Sequence, residues 1–146
     1  MQAKFYITII LLILLFSAEP TAVYKGCDLL NHFTFHFYHA NIFHLSANVL
    51  CLWTVRKHHW VISYIIATIF SFLITSPTVG LSAILFATVG INYGIKADYK
   101  NAAISALVCT IYGLLPGISL LFHLLSLAGG FIYGYCYETV RLYRNI

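Results

Sequence analysis

The sequence predicts an all-α membrane protein that folds as one bundle of six transmembrane helices. The first observation is composition: 61% of the 146 residues are hydrophobic and only 8% are Asp, Glu, Lys or Arg, whereas a soluble domain has about 25% charged residues. The second is the recurrence of apolar runs of about 17 to 20 residues, the length a helix needs to cross a bilayer. The third is the one-sided distribution of basic residues. The net charge of +4 is scattered and forms no basic patch for nucleic acid.

Six apolar segments follow one another in the chain. They cover residues 5–18, 37–55, 59–75, 80–95, 101–115 and 118–138. Strands are excluded because the segments lack alternation and a bilayer admits only helices or closed barrels. Only short polar breaks separate the segments, so residues 1–146 are expected to form a single domain.

The first segment has a second interpretation. Lys4, a short apolar run and the triplet Phe16-Ser17-Ala18 also fit a secretory signal peptide over residues 1–18, with a small-residue cleavage site. A retained helix is favoured because the run can extend to Ala22, which makes it long enough for a span.

The basic residues orient the bundle. With the amino terminus inside, seven of the eight Lys and Arg residues lie on the cytoplasmic side, as the positive-inside rule expects. These are Lys4, Arg56, Lys57, Lys96, Lys100, Arg141 and Arg144, while Lys25 lies outside. The pattern predicts a multi-pass protein with an even number of crossings and both termini in the cytoplasm.

Polar side chains open three of the segments. His39, His44 and Asn48 lie near the start of the second segment, Ser82 near the start of the fourth, and His123 near the start of the sixth. Alternate helices enter the bilayer from the same side, so these first turns are expected at one depth near the outer face. Polar groups at membrane depth are costly to bury and are therefore candidates for function.

Small residues predict that the fourth and sixth segments are close neighbours. At four-residue spacing, small side chains let transmembrane helices pack backbone to backbone. One stripe is Ala83, Ala87, Gly90 and Gly94, and the other is Ser126, Gly130 and Gly134. Because Ser82 and His123 lie at the tops of these stripes, the packing is expected to bring them together.

Ser82 and His123 are the residue types of a nucleophile and its base. A neutral imidazole activates a hydroxyl by accepting its proton, and His44, Asn48 and the Ser82 amide are donors suited to an oxyanion. The acidic residues lie near chain breaks or inner ends, which favours a dyad over a triad. Taken singly, a membrane serine more often bonds its own backbone and a membrane histidine more often packs or binds a cofactor. The coincidence of these parts carries the hypothesis.

The cysteines predict neither a disulfide framework nor a metal site. Three fall inside apolar segments, and Cys27 lies alone in the first outer loop without an evident partner. No metal and no cofactor are expected.

These residues resemble the rhomboid intramembrane serine proteases through three motifs that span about residues 39–134. The second segment carries the pattern His-x4-His-x3-Asn. The fourth carries Gly-x-Ser as Gly80-Leu81-Ser82, with Gly90 eight residues after the serine. The sixth carries a histidine followed by small residues.

The resemblance implies a rhomboid-like six-helix bundle with a water-filled cavity open to the outer face. Ser82 would attack the peptide bond and His123 would be its general base. His44 and Asn48 would contribute to the oxyanion hole, with His39 as a supporting residue. The implied substrates are transmembrane segments of other proteins in the same lipid bilayer.

Several positions depart from the family pattern. Ala83 replaces a common Gly after the serine, and Ser126 stands where Gly is usual. Phe86 replaces a common Tyr, so that stacking on His123 could survive without a phenolic hydrogen bond. The first outer loop, residues 19–36, lacks the Trp-Arg pair of the family's membrane-embedded hairpin. These departures leave the dyad intact but allow low activity or an unusual substrate range.

Two other functions remain open. A catalytically inactive relative could bind or escort membrane proteins through the same cavity, although such relatives usually have lost the serine or the histidine. A haem-binding membrane protein could use His39 or His44 together with His123 as axial ligands, but this leaves Ser82 and Asn48 unexplained.

Overall fold

The computed structural model describes residues 6–11, 22–55, 59–113 and 118–144, and most of them are helical. The helices are residues 6–11 (α1), Asn31–Thr34 (α2), Ile42–Thr54 (α3), Trp60–Ser71 (α4), Ser82–Ile95 (α5), Tyr99–Tyr112 (α6) and Leu120–Tyr143 (α7). A 3-10 turn, Phe35–Phe37, follows α2. The described residues contain no strand, and their β-type pairing is limited to one isolated bridge between Val23 and Thr78. The prediction of an α-helical fold is confirmed.

The helices are too short to support all six of the predicted membrane spans. α3 to α6 have 12 to 14 residues each, about 18 to 21 Å at 1.5 Å per residue, whereas the hydrocarbon core of a bilayer is about 30 Å thick. Among the described helices, only α7, with 24 residues, is long and apolar enough to cross a membrane. The structure therefore shows a helical protein with one candidate membrane span. The possible cleavage site near Ala18 and the basic residues Lys4, Arg56 and Lys57 lie outside the described residues.

Helices α5 and α7 run in the same direction and pack backbone against backbone. A Cβ atom added at Gly90 would overlap the backbone of Leu127, and one added at Gly130 would overlap the carbonyl of Ala87. Gly134 meets the carbonyl of Ile91 in the same way. Residue numbers rise together along the contact, so the two helices are parallel. The small-residue stripes read from the sequence thus form the contact between these helices.

Helix α4 packs on the α5–α7 pair and runs antiparallel to it. Near its beginning, the Ser63 hydroxyl lies 2.8 Å from that of Thr88, in the middle of α5. Near its end, the Ser71 hydroxyl lies 2.8 Å from His32 Nδ1, and the short helix that holds His32 leads to Phe35, whose carbonyl accepts the N–H of Gly80 just before α5. The end of α4 therefore lies beside the start of α5.

Helix α6 also runs opposite to its neighbours. Tyr99, at its start, lies with its ring centroid 5.4 Å from that of Phe131 in the middle of α7. Gly113, directly after α6, lies against Leu120 at the beginning of α7. The beginnings of α5 and α7 consequently lie at one end of the bundle, and α6 returns the chain between them.

Residues 22–41, the segment before α3, pack onto α4 through buried polar contacts, although the sequence predicted only a loop there. Phe35 and His36 are fully buried, and His36 Nε2 lies 3.3 Å from the Thr68 hydroxyl. His32 pairs with Ser71 one turn further along α4. A buried polar group is tolerated when it has a hydrogen-bond partner, and α4 supplies these partners.

The α5–α7 contact predicts a difference between two adjacent glycines. Gly130→Ala should destabilise the fold by about 1 to 3 kcal/mol, since the new methyl group meets backbone that cannot rotate away. Gly129→Ala is the matched control, because its Cβ would approach the Phe70 ring, 2.5 Å from Cε2, which can turn. Thermal unfolding midpoints in one detergent measure both. Equal midpoints for the two variants would contradict backbone contact at Gly130.

The buried imidazole of His36 predicts acid sensitivity. Burial lowers the pKa of His36 from 6.5 to about 3, so the unfolded chain binds a proton that the folded chain does not. Stability linked to this group is therefore full above about pH 6.5 and falls as the pH drops toward 3, by about 2 kcal/mol between pH 7 and pH 5. The measurement compares the loss of unfolding free energy over that interval in wild type and in His36→Gln, which should lose less. An identical loss would show that His36 does not control it.

Candidate active site

Ser82 and His123 are in direct hydrogen-bond contact. The Ser82 Oγ lies 2.7 Å from His123 Nε2. Ser82 is the first residue of α5 and His123 lies in the first turn of α7, so the parallel packing of these helices determines their separation. His123 is buried and Ser82 is partly exposed. A half-buried hydroxyl beside a buried imidazole nitrogen is the arrangement in which imidazole can accept the serine proton.

The ring of Phe86 covers His123. The two rings are stacked, with centroids 4.8 Å apart and planes inclined by 29°. Phe86 lies one turn below Ser82 on α5, on the face turned toward α7. The stacking expected for a ring at this position is present, and a phenylalanine supplies it without a hydroxyl.

The side chains of His44 and Asn48 lie directly over Gly80. A Cβ atom at position 80 would be 2.7 Å from His44 Cε1 and 3.3 Å from Asn48 Nδ2. Gly80 has φ +115°, a conformation that residues with a side chain rarely adopt. Glycine at position 80, two residues before Ser82, is thus required for two reasons. It adopts the positive φ, and it leaves the space that His44 and Asn48 occupy.

The position of His44 is determined by the start of α3. Asn41 is the N-cap, and its Oδ1 accepts the backbone N–H of His44 at 2.9 Å. Asn is among the preferred N-cap residues, so the signal for this start is present in the sequence, although the predicted segment began at residue 37. His39 is buried just before α3, with its ring centroid 5.2 Å from that of His44, which places it beside the site as a packing neighbour.

Two kinds of donor are available for a negative charge near Ser82. The Nδ2 atom of Asn48 is buried and has no hydrogen-bond partner among the described residues. The first N–H groups of a helix have no intrahelical acceptor, and the first i→i−4 bond at this end of α5 is from Leu85 to Leu81. The Ser82 amide is therefore a free backbone donor by helix geometry.

Two of the three described carboxylates, those of Asp98 and Glu138, are not part of this cluster, and the third belongs to Asp28 in the segment before α3. Asp98 caps α6 by accepting the N–H of Asn101, and Glu138 pairs with Arg141 at 2.7 Å. Both lie toward the opposite ends of α5 and α7. Within the described residues, the hydrogen bonds of His123 thus include none to a carboxylate, and the geometry is that of a Ser–His pair.

Ala83 and Ser126, two of the departures from the family pattern, are both fully buried. Their small size suits the close approach of α5 and α7. The Ser126 hydroxyl has no hydrogen-bond partner in the described part of the chain, and an unsatisfied buried hydroxyl costs about 1 to 3 kcal/mol. Serine at this position therefore weakens the packing that a glycine would allow.

A cavity of about 320 Å³ lies next to the site. Residues 74–78, before α5, and residues 118–121, at the start of α7, form its walls. Neither Ser82 nor His123 belongs to this lining. The cavity therefore lies beside the Ser–His pair at the same end of the bundle.

The described residues offer no group of three His, Cys, Asp or Glu side chains that could hold a metal ion. His123 Nε2 is directed at Ser82, and His39 and His44 contact each other edge to face. These contacts engage the same three histidines that the haem alternative would need as axial ligands.

No family model matches this sequence, and no curated protein or solved structure matches it either.

Proposed function

We propose that this protein is a rhomboid-type intramembrane serine endopeptidase that cleaves transmembrane segments of other membrane proteins. The observation that carries the proposal is the 2.7 Å contact between Ser82 Oγ and His123 Nε2. It joins the first turns of two parallel helices whose glycines allow their backbones to come into contact. A nucleophile and a base within hydrogen-bond reach are the minimum for acyl transfer by a serine.

The dyad would act in two steps. As Ser82 Oγ bonds to the substrate carbonyl carbon, its proton passes to His123 Nε2; His123 then donates that proton to the leaving amine as the C–N bond breaks. Water, deprotonated by His123, releases the acyl group from Ser82 and restores the hydroxyl. The Phe86 ring stacked on His123 would keep the imidazole in place through these transfers.

Asn48, His44 and the Ser82 amide would stabilise the oxyanion. The Asn48 amide is buried beside Gly80 with an unused donor, and a donor in a water-poor site contributes most when charge develops in the transition state. His44 lies against the same glycine. This assignment gives each polar residue around Ser82 a role in one reaction.

We further propose a six-span membrane topology with both termini cytoplasmic and the dyad near the outer face. Large apolar side chains are exposed on the short helices as well as on α7: Phe43 is 81% exposed, Leu50 68% and Val61 71%. Such surface fits lipid better than water. Lys96 and Arg141 lie at the ends of α5 and α7 away from Ser82, as a cytoplasmic side requires. Short helices can be accommodated by local thinning of the bilayer.

Covalent labelling tests the dyad. Purified protein should react with a fluorophosphonate at Ser82, and Ser82→Ala should abolish both labelling and cleavage of a transmembrane test substrate. His123→Ala should slow labelling by at least about 100-fold, because it removes the general base. Ser46→Ala, an exposed position on α3, is the control and should label as wild type does.

Equal labelling of wild type and Ser82→Ala would refute the assignment. Stable substrate binding with no cleavage by the wild-type protein would favour an inactive, escorting relative instead.

The oxyanion assignment predicts a separate kinetic effect. Asn48→Ala should lower kcat by about 100- to 1,000-fold, since one transition-state donor is lost, and should leave KM nearly unchanged because that donor acts mainly in the transition state. Steady-state cleavage of the same substrate measures both constants, again with Ser46→Ala as the control. A rise in KM at constant kcat would place Asn48 in substrate binding rather than in charge stabilisation.

A further inference from the structure

A second cluster of reactive side chains lies away from Ser82, on the segment before α3. The Cys27 Sγ lies 3.5 Å from His32 Nε2, and His32 Nδ1 lies 2.8 Å from the Ser71 hydroxyl. Thiol, imidazole and hydroxyl thus form a chain from the partly exposed Cys27 to the buried end of α4. We propose that Cys27 is a modification site: a nucleophilic thiol that exchanges with small soluble disulfides, with His32 as its base.

The hydrogen bonds of Ser71 determine which nitrogen of His32 is the acceptor. The Ser71 hydroxyl donates its proton to the Thr68 carbonyl at 2.6 Å, so its oxygen accepts from His32. Nδ1 must then carry the proton of the neutral ring. This leaves the lone pair of Nε2 facing Cys27, as a base for the thiol requires.

The ring of His32 is held in this orientation. It stacks on Phe72 with centroids 3.8 Å apart and planes inclined by 9°, and the side chain is buried. Burial lowers the pKa of His32, which keeps the imidazole neutral and able to accept a proton at neutral pH. Ser71 is in this sense a positioning residue, since it acts on Cys27 only through His32.

One backbone donor faces the sulfur of Cys27, and a reagent can approach it. The backbone N–H of Tyr24 lies 3.5 Å from Sγ and donates to it. The neighbouring Gly26 adjoins open space, because a Cβ atom there would meet nothing within 4 Å. Among the described cysteines, an imidazole nitrogen lies within hydrogen-bond range of Cys27 alone. The Asp28 carbonyl at 3.6 Å is a second acceptor for the S–H but cannot act as a base.

The proposed step is an ordinary exchange. Cys27 Sγ attacks one sulfur of the disulfide R–S–S–R, a new S–S bond forms, and the original S–S bond breaks. The thiol proton passes to His32 Nε2 and then to the departing RS⁻, which leaves as RSH. Cys27 is oxidised to a mixed disulfide and half of the reagent is reduced, so no other oxidant is needed. The step is independent of the proposed proteolysis.

The test measures the rate of this exchange. Reduced full-length protein in detergent is treated with dithiodipyridine at neutral pH, and peptide mass spectrometry follows each cysteine. A peptide of residues 22–30, which has the same thiol but lacks His32, is the reference. Cys27 in the protein should react at least about tenfold faster than the peptide, as expected for a positioned base.

Two variants separate the base from its surroundings. His32→Asn retains a side-chain nitrogen for Ser71 but has no Nε2, and it should react no faster than the peptide. His36→Gln, a change at the neighbouring buried histidine, should stay within twofold of wild type. A wild-type Cys27 that reacts no faster than the peptide overturns the proposal, whatever the variants do. So does a folded His32→Asn protein, shown by an unchanged unfolding midpoint, that reacts as wild type does.

Discussion

The backbone contact between α5 and α7 is the constraint on which the rest of the structure depends. Gly90 and Gly130 each occupy a place where a methyl group would overlap the other helix. Two helices this close have a fixed register, because each glycine faces one particular turn of its neighbour. Ser82 and His123 lie at the same end of this register. The serine–histidine distance is therefore a consequence of packing well away from the two residues themselves.

Gly80 connects this helix pair to the rest of the site. Its N–H is bonded to the Phe35 carbonyl, its positive φ turns the chain into α5, and its missing side chain makes room for His44 and Asn48. The segment before α3, the start of α3 and the start of α5 consequently meet at one residue. A change at any of these three places would therefore affect the position of Ser82.

Two of the three buried histidines of the segment before α3, His32 and His36, show how similar residues come to differ. His36 is fully buried and contacts Thr68, and its effect is on stability. His32, one helical turn earlier, has the same kind of partner in Ser71, but its other nitrogen reaches a partly exposed thiol. His32 differs from His36 because Cys27 lies beside its second nitrogen and because the turn at Gly26 adjoins open space. The reactivity of a buried imidazole thus depends on which group its second ring nitrogen faces.

The sequence by itself determined that this protein is helical, where most of its helices lie and which of them pack most closely. Composition, apolar runs and small residues at four-residue spacing are local properties, and local properties can be read from one chain. The sequence also grouped Ser82, His123, His44 and Asn48. One ground was that alternate helices enter the bilayer from the same side, and the other was the resemblance of three motifs to those of the rhomboid family. The sequence did not determine helix length, since each of α3 to α6 is shorter than the apolar run that predicted it.

Tertiary structure alone decided how the ends of these helices meet. The 2.7 Å contact of the dyad, the space over Gly80 and the chain from Cys27 to Ser71 join residues about 40 positions apart. The small-residue stripes predicted that Ser82 and His123 approach each other, but the contact distances depend on helix register and on side-chain rotamers, which the spacing does not determine. Cys27 is the clearest case: the sequence indicates no partner for it, and the structure places Nε2 of His32 on α2 3.5 Å from its sulfur.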